Sequence, residues 1–155
     1  ATSLPRVSTT LAKQLALYVI IHSPLQMASD FIENYEKHPE AFEFIKSVPV
    51  SWDTTIVLDG EIEKFLTIAR KDRNSDNWYI GGITNEESRT LQFDLSFLNE
   101  GSYVARIYAD GDSADWESNP LDYKIFERVV SKGELVTMKL ANGGGQAIEL
   151  EKVKD

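Results

Sequence analysis

The sequence predicts a mainly β chain: an antiparallel β-sandwich of about eight strands, preceded by helices. Three observations carry this. Up to Pro49 the apolar residues recur at helical spacing, and after it they alternate at a period of two. Turn residues then interrupt the alternation at short intervals. No segment between the alternating stretches could supply the crossover helices of a parallel sheet.

Residues 1–8 (Ala-Thr-Ser-Leu-Pro-Arg-Val-Ser) read as a loop. A helix follows from about Thr10 to His22, with Thr9 or Thr10 as its N-cap, and Ser23-Pro24 breaks it. In its run Leu15-Ala16-Leu17-Tyr18-Val19-Ile20-Ile21 the Tyr18 hydroxyl is the sole polar side-chain atom. Such a helix is apolar around most of its circumference, and a surface helix needs a polar face. The expectation is therefore that this chain is the tail of a longer protein, and that the helix packs on the sandwich or on a partner surface. The stretch Pro24-Leu25-Gln26-Met27-Ala28-Ser29-Asp30 is either a short buried strand or an irregular connector. Residues 31–38 suggest a helical turn.

Pro39 opens a second helix, running to about Val48, with Glu40 in its first turn and Pro49 ending it. Ala41, Phe42, Ile45 and Val48 are expected to form its apolar face. Strands are then predicted over 54–58 and 62–70, around an Asp59-Gly60 turn, and over 78–84. The alternation of Leu91, Phe93, Leu95 and Phe97 with Thr90, Gln92, Asp94 and Ser96 is the cleanest half-buried strand. Strands over 102–109, 123–130, 135–140 and 146–153 complete the set. The organisation is thus a helical part, residues 1–50, and a sandwich, residues 51–155.

Composition bounds the function. A formal charge of −9 and the absence of a basic patch disfavour nucleic acid. With no cysteine there is no disulfide, thiolate or cysteine-zinc chemistry. The apolar run 15–21 is shorter than the roughly 20 residues of a membrane span.

The residues with chemical potential are few. His22 follows an apolar helix and reads as a satisfied buried histidine; His38, in a charged helix end, is expected to face solvent. Asp110-Gly111-Asp112-Ser113-Ala114-Asp115-Trp116-Glu117 alternates oxygen ligands as a calcium loop does, but lacks the fixed glycine and closing glutamate of the twelve-residue pattern, and reads as a solvated loop. Gly143-Gly144-Gly145 is a turn, without the Lys-Ser/Thr of a phosphate loop. Trp78 is expected in the core and Trp52 at the junction of the two parts. Trp116 is the tryptophan expected to be exposed, and hence a candidate for stacking on sugar. Asp30 stands where a strand would end, the position of site residues in a barrel enzyme, although helix capping explains it equally well.

Several runs resemble glycoside hydrolase family 97: residues 9–19 (Thr-Thr-Leu-Ala-Lys-Gln-Leu-Ala-Leu-Tyr-Val), Ser-Pro-Leu-Gln-Met-Ala-Ser-Asp (23–30), Phe-Ile-Lys-Ser-Val-Pro (44–49), Leu-Asp-Gly-Glu-Ile (58–62), Trp-Tyr-Ile-Gly-Gly-Ile-Thr-Asn (78–85) and Asp-Leu-Ser-Phe-Leu (94–98). The resemblance implies α-glucosidases or α-galactosidases, with an N-terminal sandwich, a (β/α)₈ catalytic barrel and a C-terminal sandwich. Residues 1–50 would then be the end of the barrel and 51–155 the C-terminal sandwich. Members act with glutamates and a calcium ion at the top of the barrel, and retaining members with an aspartate nucleophile. No residue here matches those motifs, so the resemblance places the catalytic residues and calcium ligands upstream and the isolated chain is expected to be inactive. Asp30 and Trp116 are the two candidate substrate-binding residues. The implied partners are the rest of the parent barrel, or a second copy, through the apolar helix, and the parent's oligosaccharide substrate. The implied location is periplasmic or secreted, in bacteria. The alternative is a free-standing carbohydrate-binding or interaction module resting on Trp116.

Overall fold

A computed structural model of the chain describes residues 8–21 and 36–155. The strand or connector expected over 24–30, most of the turn over 31–38, His22 and Asp30 lie outside the described residues.

Helix α1 (Leu11–Ile20) begins where Thr10 caps it, its side chain accepting from the Lys13 amide at 3.2 Å. Helix α2 (Pro39–Ser47) has proline in its first turn and Glu40 beside it, where the helix dipole favours an anion. The strands are β1 (Trp52–Glu61), β2 (Phe65–Asp72), β3 (Trp78–Thr84), β4 (Arg89–Asp94), β5 (Ser102–Asp110), β6 (Tyr123–Ser131), β7 (Leu135–Leu140) and β8 (Gly145–Lys152). Six form one sheet in the order β1-β2-β3-β8-β5-β6, and β4 pairs with β7 in a second. Every strand pair is antiparallel.

The chain therefore folds in three layers. Between the sheets lies one core, with Trp78, Ile80, Phe93, Tyr103, Ile107, Met138 and Ile148 among its members. On the opposite face of the large sheet, Leu15, Ala16 and Val19 of α1 and Phe44 of α2 pack against Tyr79, Tyr108 and Ala147. Both faces of β3, β8 and β5 are thus covered, which is why Trp78-Tyr79-Ile80 runs apolar without alternation. The outer strands β4 and β7 keep strict alternation, because one of their faces meets water.

The expected sandwich and its eight strands are present, with three local corrections. The β1–β2 turn falls at Ile62-Glu63-Lys64, with Glu63 at φ 65°, and not at Asp59-Gly60. A register shift between Val57 and Asp59 lets Gly60 pair with Leu66, so the ladder continues past the apparent turn signal. The strand expected through Phe97 ends at Asp94. Leu95 is still buried, and Phe97 packs its ring 4.7 Å from that of Trp78. Finally, the buried face of α2 is Ala41, Phe44 and Val48, the i, i+3, i+7 positions, while Phe42 stays half-buried beneath Lys46.

The apolar helix finds its cover on the sandwich. Gly81 of β3 makes this possible, since a Cβ there would stand 2.7 Å from the Ala16 carbonyl oxygen of α1. Arg70 of β2 closes the other end, donating from Nη2 to the Ile20 carbonyl at 2.9 Å.

Candidate functional site

The chemistry-bearing side chains gather in three places. The first is the corner where α1 meets the turn between β7 and β8. The Thr10 amide donates to the Gly143 carbonyl at 3.1 Å, and the Leu11 amide to that of Pro120 at 2.8 Å. Beneath this junction Asp110, 5 % exposed, accepts from the Ala141 amide at 2.8 Å and the Gly145 amide at 3.0 Å. Burial pushes its carboxyl above the ordinary aspartate range, against the pull of its hydrogen bonds. A raised carboxyl is what a general acid needs, but this one is buried and its Oδ2 is taken up by the two amides. Its chemistry is structural: it holds the turn against α1. Lys13 sits half-buried on the same helix, donating to the Thr84 carbonyl at 2.7 Å, and desolvation lowers its ammonium group.

The second place is the acidic loop. Asp115 accepts from the amides of Glu117 and Ser118, both at 2.9 Å, and from Asn142 Nδ2 at 3.2 Å; these bonds hold its carboxyl below the usual range. Asp122 accepts from the Ser113 amide at 2.9 Å. These two carboxylates shape the loop through their hydrogen bonds. Among the described residues, no group of three or more His, Asp or Glu side chains is placed to hold a metal ion.

Trp116 differs from its expected setting. It is half-buried, its amide donating to the Asn142 carbonyl at 3.1 Å, and its side chain lies against Gly143, whose φ of 61° also favours glycine. The tryptophan covers the turn that receives α1. The other two fall as the residue pattern suggests: Trp78 is in the inter-sheet core, and Trp52 is in the helix-side core, its ring 5.5 Å from that of Tyr79. His38 is not simply solvated. Its Nδ1 lies 3.3 Å from the Tyr123 hydroxyl, so it joins the start of α2 to β6.

The third place was not legible in the sequence: a groove of about 690 Å³ between β6 and β7, whose lining includes Lys124, Phe126, Arg128 and the buried Gln146. Two of its cations are matched, Lys124 to Asp112 at 3.1 Å and Arg128 to Glu134 at 3.8 Å. On the helix side, Glu149 lies between Ser47 Oγ at 3.3 Å and the Tyr79 hydroxyl at 3.5 Å, and burial raises its carboxyl. Asp110 and Glu149 share that helix-side face but take part in separate structural joints. Among the described residues no helix is long and apolar enough to cross a membrane.

The chain also matches known proteins. A family model described as "Glycosyl-hydrolase 97 C-terminal, oligomerisation" matches residues 51–151. The chain is 39 % identical over 147 residues to a retaining alpha-galactosidase of Bacteroides thetaiotaomicron, covering 95 % of this chain and 22 % of that protein. It is 28 % identical over 137 residues to a probable retaining alpha-galactosidase of Streptomyces bingchenggensis, covering 88 % and 20 %. Among solved structures it resembles a glycoside hydrolase family 97 enzyme in complex with acarbose, from Pseudoalteromonas sp. strain K8. The TM-score is 0.94 at 44 % identity, covering 96 % of this chain and 23 % of that one. The chain thus spans about a fifth of the length of the curated relatives it matches.

Proposed function

The chain belongs to glycoside hydrolase family 97, and from that premise we propose that it is the C-terminal part of an enzyme that hydrolyses α-galactosides or α-glucosides. The match of residues 51–151 to the family's C-terminal domain carries this reading. The relatives' names favour α-galactosides, and the acarbose complex keeps α-glucosides in view.

In this reading residues 1–50 are the end of the catalytic barrel and residues 51–155 the sandwich that supports it and joins copies of the enzyme. Hydrolysis of a glycosidic bond needs two carboxylates flanking it, about 5 Å apart for retention or about 6.5–9.5 Å for inversion. Both belong to the parent barrel, as do the ligands of its calcium ion. The two carboxylates raised among the described residues, Asp110 and Glu149, are held in structural joints, which supports that division. The resemblance of residues 23–30 to a barrel strand supports Asp30 as a candidate substrate-binding residue. The parent is bacterial and acts in the periplasm or outside the cell.

The test compares two polypeptides on chromogenic aryl α-galactoside and α-glucoside. The parent enzyme turns over at least one, and the 155-residue chain turns over neither. Hydrolysis by the chain alone overturns the reading.

A further inference from the structure

We propose that copies of this chain associate through the open edge of β6, strand to strand, in a two-fold pair. The proposal rests on the reading that this domain joins copies of the enzyme, and it names the surface that does so.

The large sheet has two edges, and they are built differently. At the β1 edge the ladder to β2 is broken by two register shifts, between Trp52 and Thr54 and between Val57 and Asp59. Such irregularities twist an edge away from a flat partner and are a common protection against pairing. The β6 edge has no such register shift. Its nine residues pair with β5 in unbroken register from Tyr123↔Asp110 to Ser131↔Ser102, leaving a long, regular strand whose outer edge pairs with no other strand among the described residues.

The side chains along β6 suit continuation of the sheet. Phe126 is 43 % exposed and lines the groove side; Val129 is 65 % exposed, and its odd position in the strand places it on the helix side. Leu135, 61 % exposed, stands across the groove from Phe126 on β7. Apolar exposure on both faces of one edge is what an added strand covers, because its own side chains flank the edge above and below. A ligand lying on one face covers only half of it. The cations beside the strand are matched by Asp112 and Glu134, so the edge carries no strong field of one sign to repel a second copy. A two-fold axis normal to the sheet runs the second β6 antiparallel and keeps each face continuous, which closes the assembly at two copies.

The test is sedimentation of the 155-residue chain over a micromolar concentration series, with Phe126→Lys, Val129→Lys and Val57→Lys. A lysine on an edge strand resists pairing. The unsubstituted chain is expected to dimerise, Phe126→Lys and Val129→Lys each to weaken the dimer at least about tenfold, and Val57→Lys, on the other edge, to leave it unchanged. Near-ultraviolet circular dichroism verifies that each variant folds; because both positions on β6 are exposed, either variant alone suffices. A dimer that survives both β6 lysines, or dissociates with Val57→Lys, overturns the β6 assignment while leaving association intact. A chain that stays monomeric throughout overturns the joining reading itself, and the β6 proposal with it.

Discussion

Arg70 of β2, only 3 % exposed, reaches across the large sheet's helix-side face and donates from Nη2 to the carbonyl oxygen of Ile20, closing the C-terminal end of α1. The last carbonyls of a helix have no partner within it, and a cation placed there also meets the negative end of the helix dipole. Burial lowers the guanidinium's proton affinity without neutralising it.

Replacing Arg70 with Met keeps the stem and removes this bond. A hydrogen bond involving a charged group contributes about 1.5–3 kcal/mol. An unfolding free energy lowered by a comparable amount, with a lower urea midpoint, is the expected outcome, together with faster amide exchange at the end of α1 than at its start. An unchanged midpoint would show that the helix end is held by packing alone.

Gly81 sets how closely α1 approaches β3. A Cβ at this position meets the Ala16 carbonyl oxygen at 2.7 Å and the side chains of Val19 and Ile20 at 3.0 Å. The first obstacle is backbone, so the helix itself must shift. Gly81→Ala is expected to destabilise the chain by about 1–3 kcal/mol, the usual range for overpacking. Its signature is greater protease sensitivity of residues 11–20 while the inter-sheet core, followed through Trp78, stays packed.

The helices also cover a face that the sheet cannot expose. Tyr79, Tyr108 and Ala147 are at most 3 % exposed and pack against Leu15, Val19 and Phe44. A shortened chain of residues 51–155 uncovers that face. Each large apolar side chain returned to water forfeits about 1.5–3 kcal/mol. The shortened chain is expected to bind a hydrophobic dye and to aggregate at concentrations where the 155-residue chain stays dispersed. Dye-free, dispersed behaviour would show instead that the sandwich stands without α1 and α2.

The sandwich was legible because β4 and β7 alternate cleanly, and alternation is the mark of a strand wetted on one side. The central strands were legible as strands but not as a sheet covered twice. A run such as Trp78-Tyr79-Ile80 states burial without saying what lies on either side, and only the docking of α1 supplies the second layer. The Asp59-Gly60 signal misled because turn chemistry is local, whereas the register shift that absorbs it depends on pairing with β2. Trp116 misled for a related reason: its loop is acidic, but Gly143, distant in sequence, offers the ring a flat seat. The edge of β6 was not legible, because exposure of Phe126 and Val129 depends on which strand ends the sheet. What the residues withheld about catalysis has a simpler cause. Among the described residues Asp110, Asp115 and Glu149 serve turns and a helix end, and no alternation or capping rule states from sequence which carboxylates converge.

Asp110 gives that structural use a pH signature. Its carboxyl is raised above the ordinary aspartate range, chiefly by burial, so between that range and its folded pKa the native state binds more protons than the unfolded state. Stability from this group is therefore fully present below the unfolded pKa and is lost as pH rises through the folded one. Asp94 and Asp115, whose carboxyls are lowered by their hydrogen bonds, act with the opposite sign and lose their contribution in acid. The two trends overlap in the unsubstituted chain and separate in a variant. Asp110→Asn keeps an oxygen for the Ala141 and Gly145 amides but does not titrate, while the other carboxylates remain. The stability of the unsubstituted chain relative to Asp110→Asn is expected to fall as pH rises from about 4 toward neutrality, by about 1.4 kcal/mol for each unit by which the folded pKa is raised. Urea unfolding of both chains at matched pH values measures that difference. A difference that stays constant with pH would mean that Asp110 titrates alike in the folded and unfolded chains, and that its place beneath α1 costs its charge nothing.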